Sequence, residues 1–382
     1  MTRHLLVTND FPPKVGGIQS YLWELWQRLD PESFVVLTAS SDPGAAAFDA
    51  AQAARGVRIV RVPEPILYFP TRRALAHVQQ CVEEHTVDLV LLDPAVPLGL
   101  LGPRLGVPYG VILHGAEVTV PGRLPGARSA LARVLRGSSV VISAGSYPAR
   151  EGRRAAGGEI TAPVVEVPPG VDASTFNSLR APQRRATRAR LGLPTSGPLV
   201  VSLSRLVPRK GMDVLIEAAD RLVPSYPDLA VAIGGDGREL DRLRRQAASS
   251  LASVTLLGRV SDADRAALLG AADVFVMACR NRWMGLEQEG FGIVFLEAAA
   301  AGVPQIAGDS GGAAEAVVHG VTGLVVDKPD DPGSVAEAVR TLLADPKLRK
   351  SMGTAGRARV QGSFDYDGLA SRLASTLEKV AG

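Results

Sequence analysis

The strongest constraint on the fold is a recurring pattern of short, β-branched apolar runs closed by Gly, Pro, Asp or Asn and followed by helix-length segments. In the first part of the chain the runs fall at 5–8, 34–39, 57–62, 87–92, 109–113, 140–143 and 164–167. They recur at 199–203, 229–233 and 254–257. Unbroken apolar runs without alternation bury both faces, as parallel strands covered by helices do. The expected fold class is therefore α/β, with doubly wound parallel sheets. A chain of 382 residues exceeds one ordinary core, so two domains are expected. The boundaries read as a first domain at 1–170, a linker at 171–198 marked by Pro182, Pro194 and Pro198, a second domain at 199–364, and a terminal helix at 365–382.

Composition narrows the function classes. A hydrophobic content of 46% excludes disorder, and a formal net charge of +3 gives no global case for nucleic acid. Cys81 and Cys279 stand far apart without a motif around them. That argues for a reducing compartment and against a structural zinc site. The first residues lack the apolar core of a signal peptide, and no run reaches about 18 apolar residues. The expected location is the cytoplasm, with any membrane contact peripheral.

Chemistry concentrates between Arg280 and Gly312. Its centre reads Glu289-Gly-Phe-Gly-Ile-Val-Phe-Leu-Glu297, with one carboxylate in a glycine-rich loop and the other on an alanine-rich helix. The glycines predict a helix start near Gly292, which places Glu297 in the second turn. A helix opening behind Gly290 and Gly292 turns unpaired N–H groups and partial positive charge towards the loop, which suits a diphosphate. Carboxylates suit hydroxyls instead. A single Glu here reads equally as a surface charge, but the pair in this setting points to the two sugars of a nucleotide sugar.

The stretch resembles the carboxylate motif of the retaining glycosyltransferase family 4 enzymes, whose two-domain architecture is called GT-B. Its longer form, Arg282-Trp-Met-Gly-Leu-Glu-Gln-Glu-Gly-Phe-Gly-Ile-Val-Phe-Leu-Glu297 followed by Gly308-Asp-Ser-Gly-Gly312, is similar to actinobacterial phosphatidylinositol mannoside mannosyltransferases. The resemblance implies two Rossmann-like domains facing across a cleft and a GDP-mannose donor. It implies a phosphatidylinositol mannoside as the glycolipid acceptor, at an anionic membrane surface on the inner face of the cell membrane. No cofactor, no metal and no nucleic acid are expected. Transfer from another nucleotide sugar to a soluble acceptor stays open, as do a nucleotide-sugar epimerase and a nonenzymatic nucleotide-sugar sensor.

Site residues follow motif by motif. Asn9-Asp-Phe-Pro-Pro-Lys-Val-Gly-Gly17 follows the first strand. The family places this loop under the donor phosphates, which assigns Gly16 and Gly17 to the donor and makes Asp10 the candidate for orienting the acceptor. His114, at a strand end and followed by Gly115, is expected to hold the transferred hexose. Arg205 and Lys210 lie five residues apart and match the family's Arg-x4-Lys pair. Two fixed cations there answer the charge growing on a leaving diphosphate. Glu289 would hold the hexose and Glu297 the ribose. Gly290, Phe291, Gly292 and Ile293 line the donor, and Val260 presents backbone to the base.

Two features have competing readings. No acid separates Glu117 from Glu151, while Arg123, Arg128, Arg133, Arg136 and Arg150 fall among Leu124, Leu131, Val134 and Leu135. The segment is either a helix resting on an anionic membrane or a solvated face packed on its own domain. Asp262-Ala-Asp264 has the form of a metal-binding pair, but it follows Ser261 at a helix start, where capping explains it better.

Overall fold

The computed structural model describes residues 3–40, 42–158 and 160–381. The chain divides into two compact units, one formed by residues 1–169 with 366–382 and the other by 170–365. Each carries its own parallel sheet.

The strands of the first unit are β1 His4–Thr8, β2 Phe34–Ala39, β3 Arg58–Val62, β4 Leu89–Asp93, β5 Tyr109–Leu113, β6 Val140–Ser143 and β7 Val164–Glu166. They pair in the order β3-β2-β1-β4-β5-β6-β7, parallel throughout. The strand order reverses beside β1, so the loops after β1 and β4 diverge and leave a crevice at their carboxyl ends. Helix Tyr366–Ala381 belongs to this unit. Its Leu369, Leu373 and Leu377 join the apolar cluster of Leu22, Leu25 and Trp26, and Asp367 pairs with Arg28 at 2.8 Å.

The second unit has β8 Leu199–Leu203, β9 Ala230–Gly234, β10 Ser253–Gly258, β11 Val274–Met277, β12 Gln305–Gly308 and β13 Gly323–Val326. The order is β10-β9-β8-β11-β12-β13, again all parallel, with the reversal between β8 and β11.

Residues 171–198, read from sequence as a linker, are built into this second unit. Helix Ala181–Arg190 sends Arg184 and Arg188 to Asp273 at 2.6 and 3.0 Å, and Arg188 is buried. Burial would raise the Asp273 carboxyl, but these guanidiniums and the Leu199 N–H hold it below its ordinary value. The proline-rich composition reflects a helix start and turns, and tertiary ion pairs fasten the segment.

Candidate active site

In the second unit the loops after β8 and β11 carry the polar residues. Gly211, at φ 69°, allows the first loop to approach the second: a Cβ there would lie 2.1 Å from the Ala278 carbonyl oxygen. That approach brings Lys210 Nζ to 2.6 Å from Oε2 of Glu289, with both side chains buried. Cys279 Sγ approaches the same oxygen at 3.6 Å, and Arg209 Nε stands 3.9 Å from it. Burial would raise the Glu289 carboxyl, but the charges of Lys210 and Arg209 keep it below the usual range. The Glu289 N–H donates to Ser310 Oγ at 3.2 Å, and Ser310 Oγ donates to Asn281 Oδ1 at 2.9 Å.

The expected helix start is present. Helix Ile293–Ala300 opens behind Gly292, whose φ of 82° favours glycine, and a Cβ there would meet the Phe295 ring at 2.8 Å. Phe291, Phe295 and Leu296 are buried, and Glu297 sits in the second turn, also buried. Burial raises the Glu297 carboxyl, and Arg265 at 3.3 Å offsets only part of that rise. Arg265 Nε and Arg209 Nε are buried without a hydrogen-bond partner among the described residues. Backbone contacts close the floor, with the Gly312 N–H donating to the Glu289 carbonyl at 2.9 Å. Gly290 lies so close that a Cβ on Gly312 would meet its carbonyl oxygen at 2.0 Å.

The structure does not gather every expected residue. Arg205 is exposed, and no side-chain hydrogen bond or ion pair joins it to Lys210 or Glu289 among the described residues. Val260 lies over the end of β9, where a Cβ on Gly234 would meet Val260 Cγ2 at 2.7 Å. Asp262 and Asp264 occupy the first turn of helix Asp262–Ala271. Ser261 Oγ accepts from the Asp264 N–H at 3.2 Å, and Asp264 pairs with Arg190.

In the first unit, three adjacent strand ends converge. Thr8 and Asp93 stand opposite each other in register at the ends of β1 and β4. Asp93 Oδ2 accepts from Thr8 Oγ1 at 2.6 Å, while Oδ1 meets Nε2 of His114, just past β5, also at 2.6 Å. Burial alone would lower the His114 imidazole, but the Asp93 carboxylate, helped by Glu117 and Asp10, leaves its pKa above the ordinary value. Glu117 accepts from the Gly115 N–H at 2.9 Å and so fixes the turn that carries His114. Asp10 Oδ1 accepts from Gln19 Nε2 at 2.7 Å, and the Asp10 N–H donates to Thr8 Oγ1 at 2.9 Å. Burial, then the Asp93 charge, raises the Asp10 carboxyl, with Lys14 and His114 pulling the other way. Gly16 precedes helix Gly17–Trp26, and the space a Gly17 Cβ would occupy is open.

Sequence reasoning missed Asp93, Arg209 and Arg265. Asp93 carried a readable signal, because an acid closing a strand in such a sheet lies at the ligand end. Arg209 and Arg265 read locally as ordinary surface charges.

Two doubly wound parallel units with polar residues at their strand ends define the GT-B class of nucleotide-sugar transferases. Residues 183–359 match the family described as glycosyl transferases group 1. The chain is 42% identical over 99% of its length, and 98% of the relative's, to a Mycobacterium tuberculosis protein named GDP-mannose-dependent alpha-(1-6)-phosphatidylinositol monomannoside mannosyltransferase. It is 38% identical, covering 98% of this chain and 97% of the relative, to the Corynebacterium glutamicum protein named GDP-mannose-dependent monoacylated alpha-(1-6)-phosphatidylinositol monomannoside mannosyltransferase. Among solved structures, Anabaena HepE in complex with UDP and glucose superposes with a TM-score of 0.79 at 22% identity, over 99% of this chain and 100% of that one. The chain belongs to the group 1 glycosyl transferases.

Proposed function

We propose that this protein transfers mannose from GDP-mannose to a phosphatidylinositol monomannoside acceptor, through an α-1,6 linkage and with retention at the anomeric carbon. The observation that carries this reading is the buried Lys210–Glu289 pair at the strand ends of the second unit, in a chain with whole-length relatives of that activity. A carboxylate held in its charged form by a lysine suits hexose hydroxyls. The lysine beside it suits the diphosphate of the same donor.

In this mechanism Lys210 and Arg205 offset the charge that develops on the departing diphosphate, aided by the N–H groups behind Gly16, Gly17, Gly290 and Gly292. Glu289 holds the hexose and Glu297 the ribose. His114, kept in orientation by Asp93, donates to the hexose. Phe291 and Ile293 shape the donor wall, and Val260 offers backbone to the base. Substitution proceeds on the face the diphosphate leaves, a diphosphate oxygen takes the acceptor's proton, and Asp10 orients the acceptor hydroxyl. No metal or other cofactor takes part. The protein works as a peripheral protein at an anionic membrane surface. No described helix is long and apolar enough to cross a membrane.

The test is a matrix of nucleotide sugars against acceptors, with product linkage read by NMR. The reading expects α-mannosylated lipid from GDP-mannose and phosphatidylinositol monomannoside. Efficient turnover of a UDP-sugar with a soluble acceptor, and none with this pair, would overturn it.

A further inference from the structure

The segment ahead of Glu289 carries an aromatic side chain set out in solvent on a strained turn. Trp283 and Met284 have φ of 49° and 53°, a left-handed conformation that bulky residues adopt only where their surroundings impose it. Both side chains are exposed, at 62% and 98%. Gly285, at φ 81°, completes the turn.

The base of the turn is fixed. Arg282 and Glu287 form an isolated antiparallel bridge, in which the Arg282 N–H donates to the Glu287 carbonyl at 2.9 Å and the Glu287 N–H to the Arg282 carbonyl at 3.2 Å. Their side chains pair at 2.8 Å. The Arg282 guanidinium lies over the Trp283 ring, 4.9 Å from its centroid, which sets the orientation of the indole. Glu287 also meets Arg209 at 3.4 Å, and Arg209 Nε stands 3.9 Å from Glu289 Oε2. A chain of charged groups therefore runs from the exposed indole to the carboxylate that the mechanism assigns to the hexose.

Position and charge select the occupant. Paired Cα atoms across such a bridge lie about 5 Å apart, and Glu289 is two residues beyond Glu287, at most about 7 Å away. Trp283, next in the chain to Arg282, is thus within about 16 Å of Glu289 along the backbone. A two-ring headgroup crosses that span while its hydroxyl meets the hexose. The face of an indole carries partial negative charge and attracts the C–H edges of a cyclic polyol. A membrane fits less well: Arg282 is answered by Glu287, and Arg280 by Asp213 and Asp330 at 2.8 and 3.2 Å, so these arginines bring no surplus charge to an anionic leaflet. A stable protein interface needs about 800 Å² per partner, several times what one indole supplies.

We propose that Trp283 is a specificity residue for the acceptor, a stacking platform for the mannose or inositol ring of its headgroup. The assignment rests on the glycolipid acceptor proposed above.

Fluorescence quenching tests it directly. Trp26 is fully buried and Trp23 partly so, so acrylamide quenching and the red edge of the emission report Trp283. Deacylated headgroup, a water-soluble mannosyl inositol phosphate, is expected to protect Trp283 in the GDP-bound protein and to shift its emission to the blue, with no vesicle present. Trp283→Ala is expected to raise the acceptor KM about 10-fold and to leave the GDP-mannose KM unchanged, and Trp283→Phe should recover most of the loss. Trp283→Gly removes the ring and suits the left-handed backbone, so it should weaken acceptor use equally without lowering Tm, an outcome that a purely structural role for the ring does not give. A parent-level acceptor KM in Trp283→Ala overturns the proposal. So does protection that GDP-mannose alone produces in full. Protection that phosphatidylinositol vesicles give and the soluble headgroup does not would make the indole a membrane anchor and overturn it as well. Where the matrix of sugars and acceptors selects a different acceptor, quenching is read with that acceptor, so an error in the proposed function and an error in the platform give separate results.

Discussion

Lys210 Nζ lies 2.6 Å from Glu289 Oε2, and neither side chain has appreciable contact with solvent. Two motifs 79 residues apart in the chain thus meet as one buried ion pair. In such a pair each charge is the other's substitute for water, and removing one partner leaves an uncompensated charge that costs about 3–5 kcal/mol.

Lys210→Ala is therefore expected to lower kcat by about 10²-fold or more, through loss of charge stabilisation on the leaving diphosphate. It should also lower Tm, because Glu289 stays buried. Lys210→Met with Glu289→Leu should recover part of that Tm and none of the activity. Steady-state kinetics and calorimetry of the three proteins check this, and parent-level turnover in a folded Lys210→Ala would remove the residue from the mechanism.

Asp93→Asn should lower the titration midpoint of His114, because burial then acts without its counter-charge. In the parent the folded-state value lies above the unfolded one. The pairing's stability is then fully present below the unfolded imidazole's pKa of about 6.5 and is lost as pH rises through the raised folded value. Imidazole resonances followed by NMR against pH, assigned with a His114 variant, provide the measurement. An unmoved midpoint would mean that Asp93 does not set the His114 charge.

Where the sequence spoke plainly, one local rule sufficed. Fully buried strands need unbroken apolar runs, so β1, β2 and β5 read directly. Gly292 needs a left-handed backbone and announced its helix. Long-range pairings left no local trace: Arg188 meets Asp273, and Arg265 meets Glu297, across stretches that no periodicity spans. Asp93 was hidden in plain view as the residue that closes a strand before Pro94. The acid-free stretch after Glu117 read equally as a membrane-facing helix or as a solvated face packed on its own domain, and the structure shows Arg128 and Arg136 donating to carbonyls of that domain.

Arg265→Gln should weaken nucleotide binding most on the acidic side. The Glu297 carboxyl is already raised by burial, and Arg265 is the charge that restrains it. Without that charge the carboxylate is lost at higher pH on acidification, so the acid limb of GDP affinity should move upward. Fluorescence or calorimetric titration between about pH 5 and 8 reads this shift. A uniform loss at every pH would point to a contact made by Arg265 itself.

Chelation is expected to leave turnover intact. Asp262 and Asp264 are occupied as helix-start acids, with Ser261 and Arg190 on Asp264 and Arg265 on Asp262. Complete loss of activity in EDTA, restored by Mg²⁺ or Mn²⁺, would contradict the metal-free mechanism.

The basic segment after Glu117 should separate into two classes of arginine. Arg128 and Arg136 donate to carbonyls at the end of helix Ser146–Ala155. There a cation meets the negative end of the helix, worth about 0.3–1 kcal/mol each. Replacing either by Gln should lower Tm by a few degrees. Arg133 is exposed on helix Pro125–Gly137, so Arg133→Gln should leave Tm unchanged. A basic residue near an anionic leaflet contributes about 1 kcal/mol, so the same variant should bind anionic vesicles about 5-fold more weakly. Added salt should weaken the parent's vesicle binding steeply as well. Donor affinity should not change in any of these variants, because the proposed mechanism assigns the donor phosphates to Lys210 and Arg205. If Arg133→Gln bound anionic vesicles as the parent does, at low and high salt alike, the helix would be a solvated face only. The acceptor would then have to be sought among soluble molecules.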